Sequence, residues 1–166
     1  MTRAERAWVV LGEVLDPEVP ALSLRDLGIV RDVIDHGREL EVVLTPTYSG
    51  CPATEVIEQS VLAAIEAEGL GPVRATLRRA PAWTTDWISE EGKRKLREYG
   101  IAPPGPVMPE AAVPIRLFRR REEAKVACPH CGSLHTERLS AFGSTACKAM
   151  YRCVDCLEPF EYFKPI

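Results

Sequence analysis

The sequence predicts an α+β protein: a two-layer α/β sandwich ordered α-β-β-α-β-α around a small mixed sheet, followed by a four-cysteine zinc ribbon. Three observations predict it. Over the first hundred residues, helical and alternating apolar periods succeed one another. Ala102-Pro-Pro-Gly-Pro-Val-Met-Pro109 then breaks the pattern with four prolines in eight residues. Beyond it stand Cys128-Pro-His-Cys131 and Cys153-Val-Asp-Cys156, two Cys-x-x-Cys pairs with twenty-one residues between them.

Each element has a local reason. Residues 3–15 carry Trp8, Leu11 and Leu15 at helical spacing, and Asp16-Pro17-Glu18-Val19-Pro20 ends that helix because proline disfavours helix in the residue before it. Ser23-Leu-Arg-Asp26 reads as a capped turn ahead of Gly28. Residues 29–34 and 40–44 read as two strands of a hairpin turning at His36-Gly37-Arg38. After a loop over 45–51, Pro52 suits the first position of a helix whose apolar residues Val56, Ile57, Val61, Leu62 and Ile65 run to Gly69. Residues 72–79 alternate Val73, Ala75 and Leu77 with Arg74, Thr76 and Arg78, a half-exposed strand, and 89–99 form a charged surface helix ended by Gly100. Two apolar helices can cover one face of a three-stranded sheet. The domains expected are 1–101, a stiff proline-rich linker at 102–114, and a ribbon at 115–166 with strands near 115–118, 137–142 and 160–163.

Composition bounds the function. A chain of 166 residues with 46% hydrophobic content can bury a core and add a small satellite. Its net charge of −3 is distributed unevenly, with an acidic excess in the first hundred residues and a slight basic excess after them. That balance argues against a dedicated nucleic-acid binder, and Arg119-Arg120-Arg121, followed at once by Glu122-Glu123, reads as a solvated strand end. The apolar run near the start is too short for a signal peptide, and no stretch is long enough for a membrane span. Six cysteines, four of them in paired metal spacing, fit a reducing cytoplasm rather than a disulfide framework.

The sulfur chemistry divides in two. Cys128, Cys131, Cys153 and Cys156 are the expected ligands of one ion, zinc by spacing, with rubredoxin-like iron the alternative. Four thiolates leave no open coordination position, so the site shapes the tail rather than catalysing. Gly132 is free to take the positive φ that turns N–H groups toward sulfur, whereas Leu157 follows the second pair, so that support is expected on one side only. Cys51, in Ser49-Gly50-Cys51-Pro52, stands apart. As the cap of the following helix it is a stabilised thiolate, and as a small hydrophobe under a loop it is inert; spacing leaves both open. Cys147 is a fifth thiol near the ribbon, read as a buried thiol ahead of a second transfer thiol. His36, His130 and His135 are expected on exposed loops. Trp83 and Trp87, four apart, divide between core packing and partner contact, and Asp16 and Glu18 between turn capping and a site.

Several of these residues together resemble a known family. Asp16-Pro17-Glu18, Asp26-Leu27-Gly28-Ile29-Val30, Leu44-Thr45 and Gly50-Cys51-Pro52 resemble the small α/β domain of iron–sulfur assembly factors of the SufT type over roughly residues 5–80. Pro81-Ala-Trp83-Thr-Thr-Asp86-Trp87, the linker, the ribbon and Phe142-Gly-Ser-Thr-Ala-Cys147-Lys148 are similar to the PaaD branch, accessory subunits of the phenylacetyl-CoA epoxidase system, also called ring 1,2-phenylacetyl-CoA monooxygenase. The resemblance implies a non-catalytic role in aerobic phenylacetate breakdown, assisting iron–sulfur cluster assembly, with the iron–sulfur flavin reductase of the epoxidase as the client. It implies Cys51 as a cluster- or metal-transfer thiol with Asp16 and Glu18 near it, and a transient iron–sulfur cluster beside structural zinc; Cys147, from its position alone, is a substitute ligand, a second transfer thiol or a buried thiol. Epoxidase components are the implied partners, and a homodimer is left open. A purely structural docking subunit and a zinc-ribbon nucleic-acid binder are the alternatives. The sequence holds no Glu-x-x-His pair for a di-iron site and no Gly-x-Gly-x-x-Gly loop or ferredoxin-like cysteine run, so the chain is not expected to perform the oxygenation alone.

Overall fold

In the computed structural model, residues 1–48, 50–107 and 125–166 are described. They form two compact units, Met1–Leu96 and Arg97–Ile166. The expected strand at 115–118 and the arginine run at 119–121 lie outside the described residues.

The first unit begins with α1 (Arg3–Leu11), opened by a capping box in which the Thr2 hydroxyl accepts from the Glu5 N–H and the Glu5 carboxylate accepts from the Thr2 N–H. The helix is shorter than the sequence periodicity indicates. It closes at Gly12, and Leu15 pairs across to Ser23 in an isolated bridge, so Leu15 is half-exposed instead of continuing the Leu11 face. Strand β1 (Val30–Asp35) and β2 (Leu40–Leu44) are antiparallel, and β3 (Val73–Leu77) lies parallel to β2. The sheet order is β1-β2-β3, a mixed sheet. Helix α2 (Thr54–Ala67) makes the crossover between the two parallel strands. Its inner face is Ile57, Val61 and Ile65, while Val56, expected there, is half-exposed. α1 packs on β1, α2 on β3, and the two helices on each other. Leu40, Val42 and Leu44 form the fully buried spine of the central strand.

A single 3-10 turn (Thr85–Trp87) precedes α3 (Glu90–Tyr99). Ser89 caps α3, its hydroxyl accepting from the Gly92 N–H and donating to Asp26.

The second unit is a four-stranded sheet of order β4-β7-β6-β5, with β4 (Ile101–Ala102), β5 (Thr136–Ser140), β6 (Lys148–Cys153) and β7 (Pro159–Phe163). β5, β6 and β7 are antiparallel neighbours, and β4 runs parallel to β7. Ile101 and Ala102, which the sequence pattern divides between first domain and linker, therefore belong to the ribbon's sheet. Pro103 follows immediately, consistent with proline being tolerated at a sheet edge. The core gathers Ala102, Val126, Ala149, Tyr151, Phe160 and Tyr162 around buried Cys128 and Cys153. Tyr151 stacks on Phe160 at 5.9 Å and meets Tyr162 edge-on at 5.5 Å.

Candidate metal centre and the helix-entrance thiol

The two cysteine turns are built alike. In the first, the Gly132 N–H returns to the Cys128 carbonyl, and the Cys128 N–H bonds the Ser133 carbonyl. In the second, the Cys153 N–H bonds the Glu158 carbonyl at the tip of the β6–β7 hairpin. Gly132 takes φ 76° and Leu157 takes φ 66°. The expectation of one-sided support is thus corrected: a leucine adopts the left-handed conformation that the second turn needs. N–H groups then point at sulfur on both sides, from Ser133 to Cys131, from Asp155 and Cys156 to Cys153, and from Glu158 to Cys156.

The four Sγ atoms all lie within 4.8 Å of one another, with Cys128–Cys156 at 3.7 Å and Cys131–Cys153 at 3.6 Å. Those separations are far beyond a disulfide bond. They match the tetrahedron edge of about 3.8 Å that follows from a zinc–sulfur bond of about 2.3 Å. The thiols are driven in opposite directions by their surroundings. The N–H of Cys156, joined by that of Asp155, lowers the Cys153 thiol to about 7 against its desolvation. The N–H of Glu158 pulls Cys156 down, but desolvation and the neighbouring thiols push it up to about 12. Binding of a positive ion is what holds neighbouring thiolates deprotonated together. Cys128 and Cys153 form the buried side of the cluster, Cys156 is intermediate, and Cys131 is exposed.

Cys51 lies in the first unit, in the turn that precedes α2. Its N–H bonds the Tyr48 carbonyl, and its own carbonyl accepts both the N–H and the hydroxyl of Thr54. The helix starts at Thr54 with Ala53 as its cap, so Cys51 is not the N-cap residue and Pro52 is not the first helical position. The reason is local: the turn drawn together by the Thr54 hydroxyl occupies the place of the expected first helical turn. Cys51 is 9% exposed, while Gly50 beside it is exposed with φ 85°. The Asp16 carboxylate is buried and accepts the N–H groups of Glu18 and Val19, closing its own turn. Glu18 is partly buried at the same turn. Cys147 is buried in the second unit, 3.0 Å from the Thr145 hydroxyl. His130 and His135 are exposed, and His36 sits at the hairpin tip against Glu41 at 2.8 Å.

Comparison with known proteins bears on both units. Residues 4–76 match the model of the iron–sulfur cluster assembly protein family, and residues 113–164 match the PaaD zinc beta ribbon domain. A protein of Escherichia coli (strain K12), provisionally named as one of the subunits of 1,2-phenylacetyl-CoA epoxidase, is 46% identical over 159 residues, covering 96% of this chain and 91% of that protein. The chain belongs to the PaaD family. Among solved structures, a domain of unknown function from Bacillus anthracis is similar at 24% identity and TM-score 0.53, covering 57% of this chain and 91% of its own; that likeness concerns the fold. A conserved hypothetical protein of Thermotoga maritima aligns at 31% identity and TM-score 0.47, over 58% of this chain and 98% of its own.

In this PaaD-family chain, two of the sequence motifs meet. The Trp83 indole N–H donates to the Leu27 carbonyl at 2.8 Å, and Trp83 is buried, so its role is packing. Gly28, at φ 70°, lies so close to Trp87 that a Cβ there would sit 2.7 Å from the Trp87 carbonyl oxygen. Arg31, at a bulge in β1, stacks over the partly exposed Trp87 ring at 3.6 Å. Two polar arrangements escaped sequence reasoning. Lys148 is buried against Glu161 at 3.2 Å, and the Glu161 carboxylate also accepts the Ser144 N–H at 2.5 Å, anchoring the Gly143 loop of the PaaD motif. Across the two cysteine turns, the Ser133 hydroxyl donates to Asp155, which also lies 3.3 Å from His135 Nδ1. A serine and an aspartate close to paired cysteines carry no periodic signal, and only the fold brings them opposite one another.

Proposed function

We propose that this chain is a non-catalytic accessory subunit of a phenylacetyl-CoA epoxidase that assists assembly or insertion of iron–sulfur clusters in the reductase component. One observation carries the reading: an iron–sulfur assembly domain, residues 4–76, is joined in a single chain to the PaaD ribbon, residues 113–164. The curated relative named as an epoxidase subunit supports the same system. Cys128, Cys131, Cys153 and Cys156 hold structural zinc, which supplies folding energy to the ribbon and no reaction step. Cys51, buried beside the exposed Gly50, is assigned as the transfer thiol, with Asp16 and Glu18 as the loop carboxylates that go with it and Cys147 as a secondary thiol. Trp87 is the contact aromatic for a partner.

The deciding experiment expresses the reductase with and without this protein and measures iron and sulfide per flavin. A higher cluster content with the wild type, lost in Cys51→Ala while zinc stays at one per chain, is the expected result. Equal content in both cultures would sink the assembly role. A second reading, a docking subunit, draws on the 54% and 64% exposure of Leu139 and Phe142 on the ribbon. Co-purification with the oxygenase or reductase that is indifferent to Cys51→Ala would favour it.

A further inference from the structure

Two of the residues whose N–H groups point at the ligand sulfurs, Ser133 and Asp155, are also joined to each other. The N–H of Ser133 points at Cys131 Sγ, in the first cysteine turn. The N–H of Asp155 points at Cys153 Sγ, in the second. Those two sulfurs are 3.6 Å apart. The side chains of the same two residues close a bond over them, Ser133 hydroxyl to Asp155 carboxylate. The clasp is braced on both sides: the His135 N–H donates to the Ser133 oxygen at 3.0 Å, His135 Nδ1 faces Asp155 at 3.3 Å, and the Val154 N–H bonds the His135 carbonyl at 2.8 Å. One loop from each half of the cluster is thereby tied to the other through groups that touch no metal. The clasp includes the turn that carries Cys131, the exposed ligand, while Cys128 and Cys153 are buried.

We propose that Ser133 and Asp155 are positioning residues for the metal ion, a cross-turn clasp that holds their own two sulfur-directed N–H groups in place and sets how fast the ion escapes past Cys131. The inference rests on the four cysteines holding zinc. Groups that orient metal ligands without binding the metal typically change affinity by about 10- to 100-fold when removed.

The test uses the full-length, zinc-loaded protein and its Ser133→Ala, Asp155→Ala and doubly substituted variants. Zinc release is timed with a chromogenic chelator, and far-ultraviolet circular dichroism checks the fold of each variant. Each single substitution is expected to speed release about tenfold. The double variant is expected to be no faster than the faster single one, because removing either partner already opens the clasp. Should Asp155→Ala not fold, Ser133→Ala alone decides by the same tenfold criterion. Release within about twofold of wild type in the single variants overturns the proposal, as does a full hundredfold in the double variant, which would mean two independent effects. A wild-type protein that binds no zinc overturns the metal reading itself, an outcome recognisable before any variant is made.

Discussion

Leu157 spends its conformational freedom where a glycine would cost nothing. A non-glycine residue in the left-handed region is disfavoured by about 1–2 kcal/mol, part of which glycine returns through its freer unfolded chain. With its side chain 69% exposed, there is little packing to lose. Leu157→Gly is therefore expected to stabilise the zinc-loaded ribbon by about 0.5–1 kcal/mol, read from the urea midpoint of the tyrosine circular dichroism. A lower midpoint would show that the leucine makes a contact worth more than the strain. Gly28 is the opposite case. It combines φ 70° with a Cβ position 2.7 Å from backbone, and backbone cannot swing aside. Gly28→Ala should cost about 2–4 kcal/mol, the sum of strain and overpacking, measured by denaturation followed at tryptophan. Residue-level chemistry was legible where it repeats in sequence. The paired cysteines announced their cluster, but Leu157 gave no sign of its backbone state. Cys51 looked like a helix cap because Pro52 commonly opens a helix, and the Thr54 hydroxyl on the Cys51 carbonyl displaced that start.

Among the elements, α3 is held by polar groups more than by an apolar stripe. Leu96 and Gly92 are its buried residues, and Gly92 lies against the Asp26 backbone. Lys95 reaches Asp26 at 2.7 Å, Ser89 donates to it, and Asp26 exchanges capping bonds with Ser23. Burial pushes the Asp26 carboxyl up, but the bonds from Lys95 and Ser23 outweigh it and the net shift is below the usual 3.8. A lowered folded-state value means that the carboxylate stabilises the fold fully above that range and loses its effect as pH falls through the folded value. Asp26→Asn should thus destabilise the first unit by about 1–2 kcal/mol at pH 7, with the gap to wild type closing below about pH 4. Paired urea titrations stepped downward from pH 7 check this, and a gap that does not begin to narrow once pH falls below the usual carboxylate value would refute it. The helices and the three strands of the first sheet were readable because their apolar periods are clean. β6 was not, since Lys148 opens it with a buried cation paired to Glu161, which breaks the usual alternation.

Across the whole molecule, the two units carry different reporters. Trp8, Trp83 and Trp87 all fall in the first, whereas Tyr151 and Tyr162 lie in the core beside the cysteines. A small core stapled by metal depends on that metal for its fold. Zinc removal by a strong chelator is expected to reduce the near-ultraviolet tyrosine signal to what Tyr48 of the first unit contributes, while the emission maximum of the tryptophans stays put. A red shift of that emission on chelation would contradict it. Sequence patterning drew the border at the proline-rich stretch, whereas strand pairing of Ile101 and Ala102 with Glu161 and Tyr162 is a long-range choice that no local signal encodes.

That pairing has a practical side. The ribbon family match begins at residue 113, yet the sheet draws its first strand from residues upstream of the prolines. A ribbon excised at 113 and grafted elsewhere would leave behind Ala102, a member of its own core, and bare one flank of β7. Domain swaps between relatives therefore have to cut before Ile101, and the prolines travel with the cargo instead of marking where to cut.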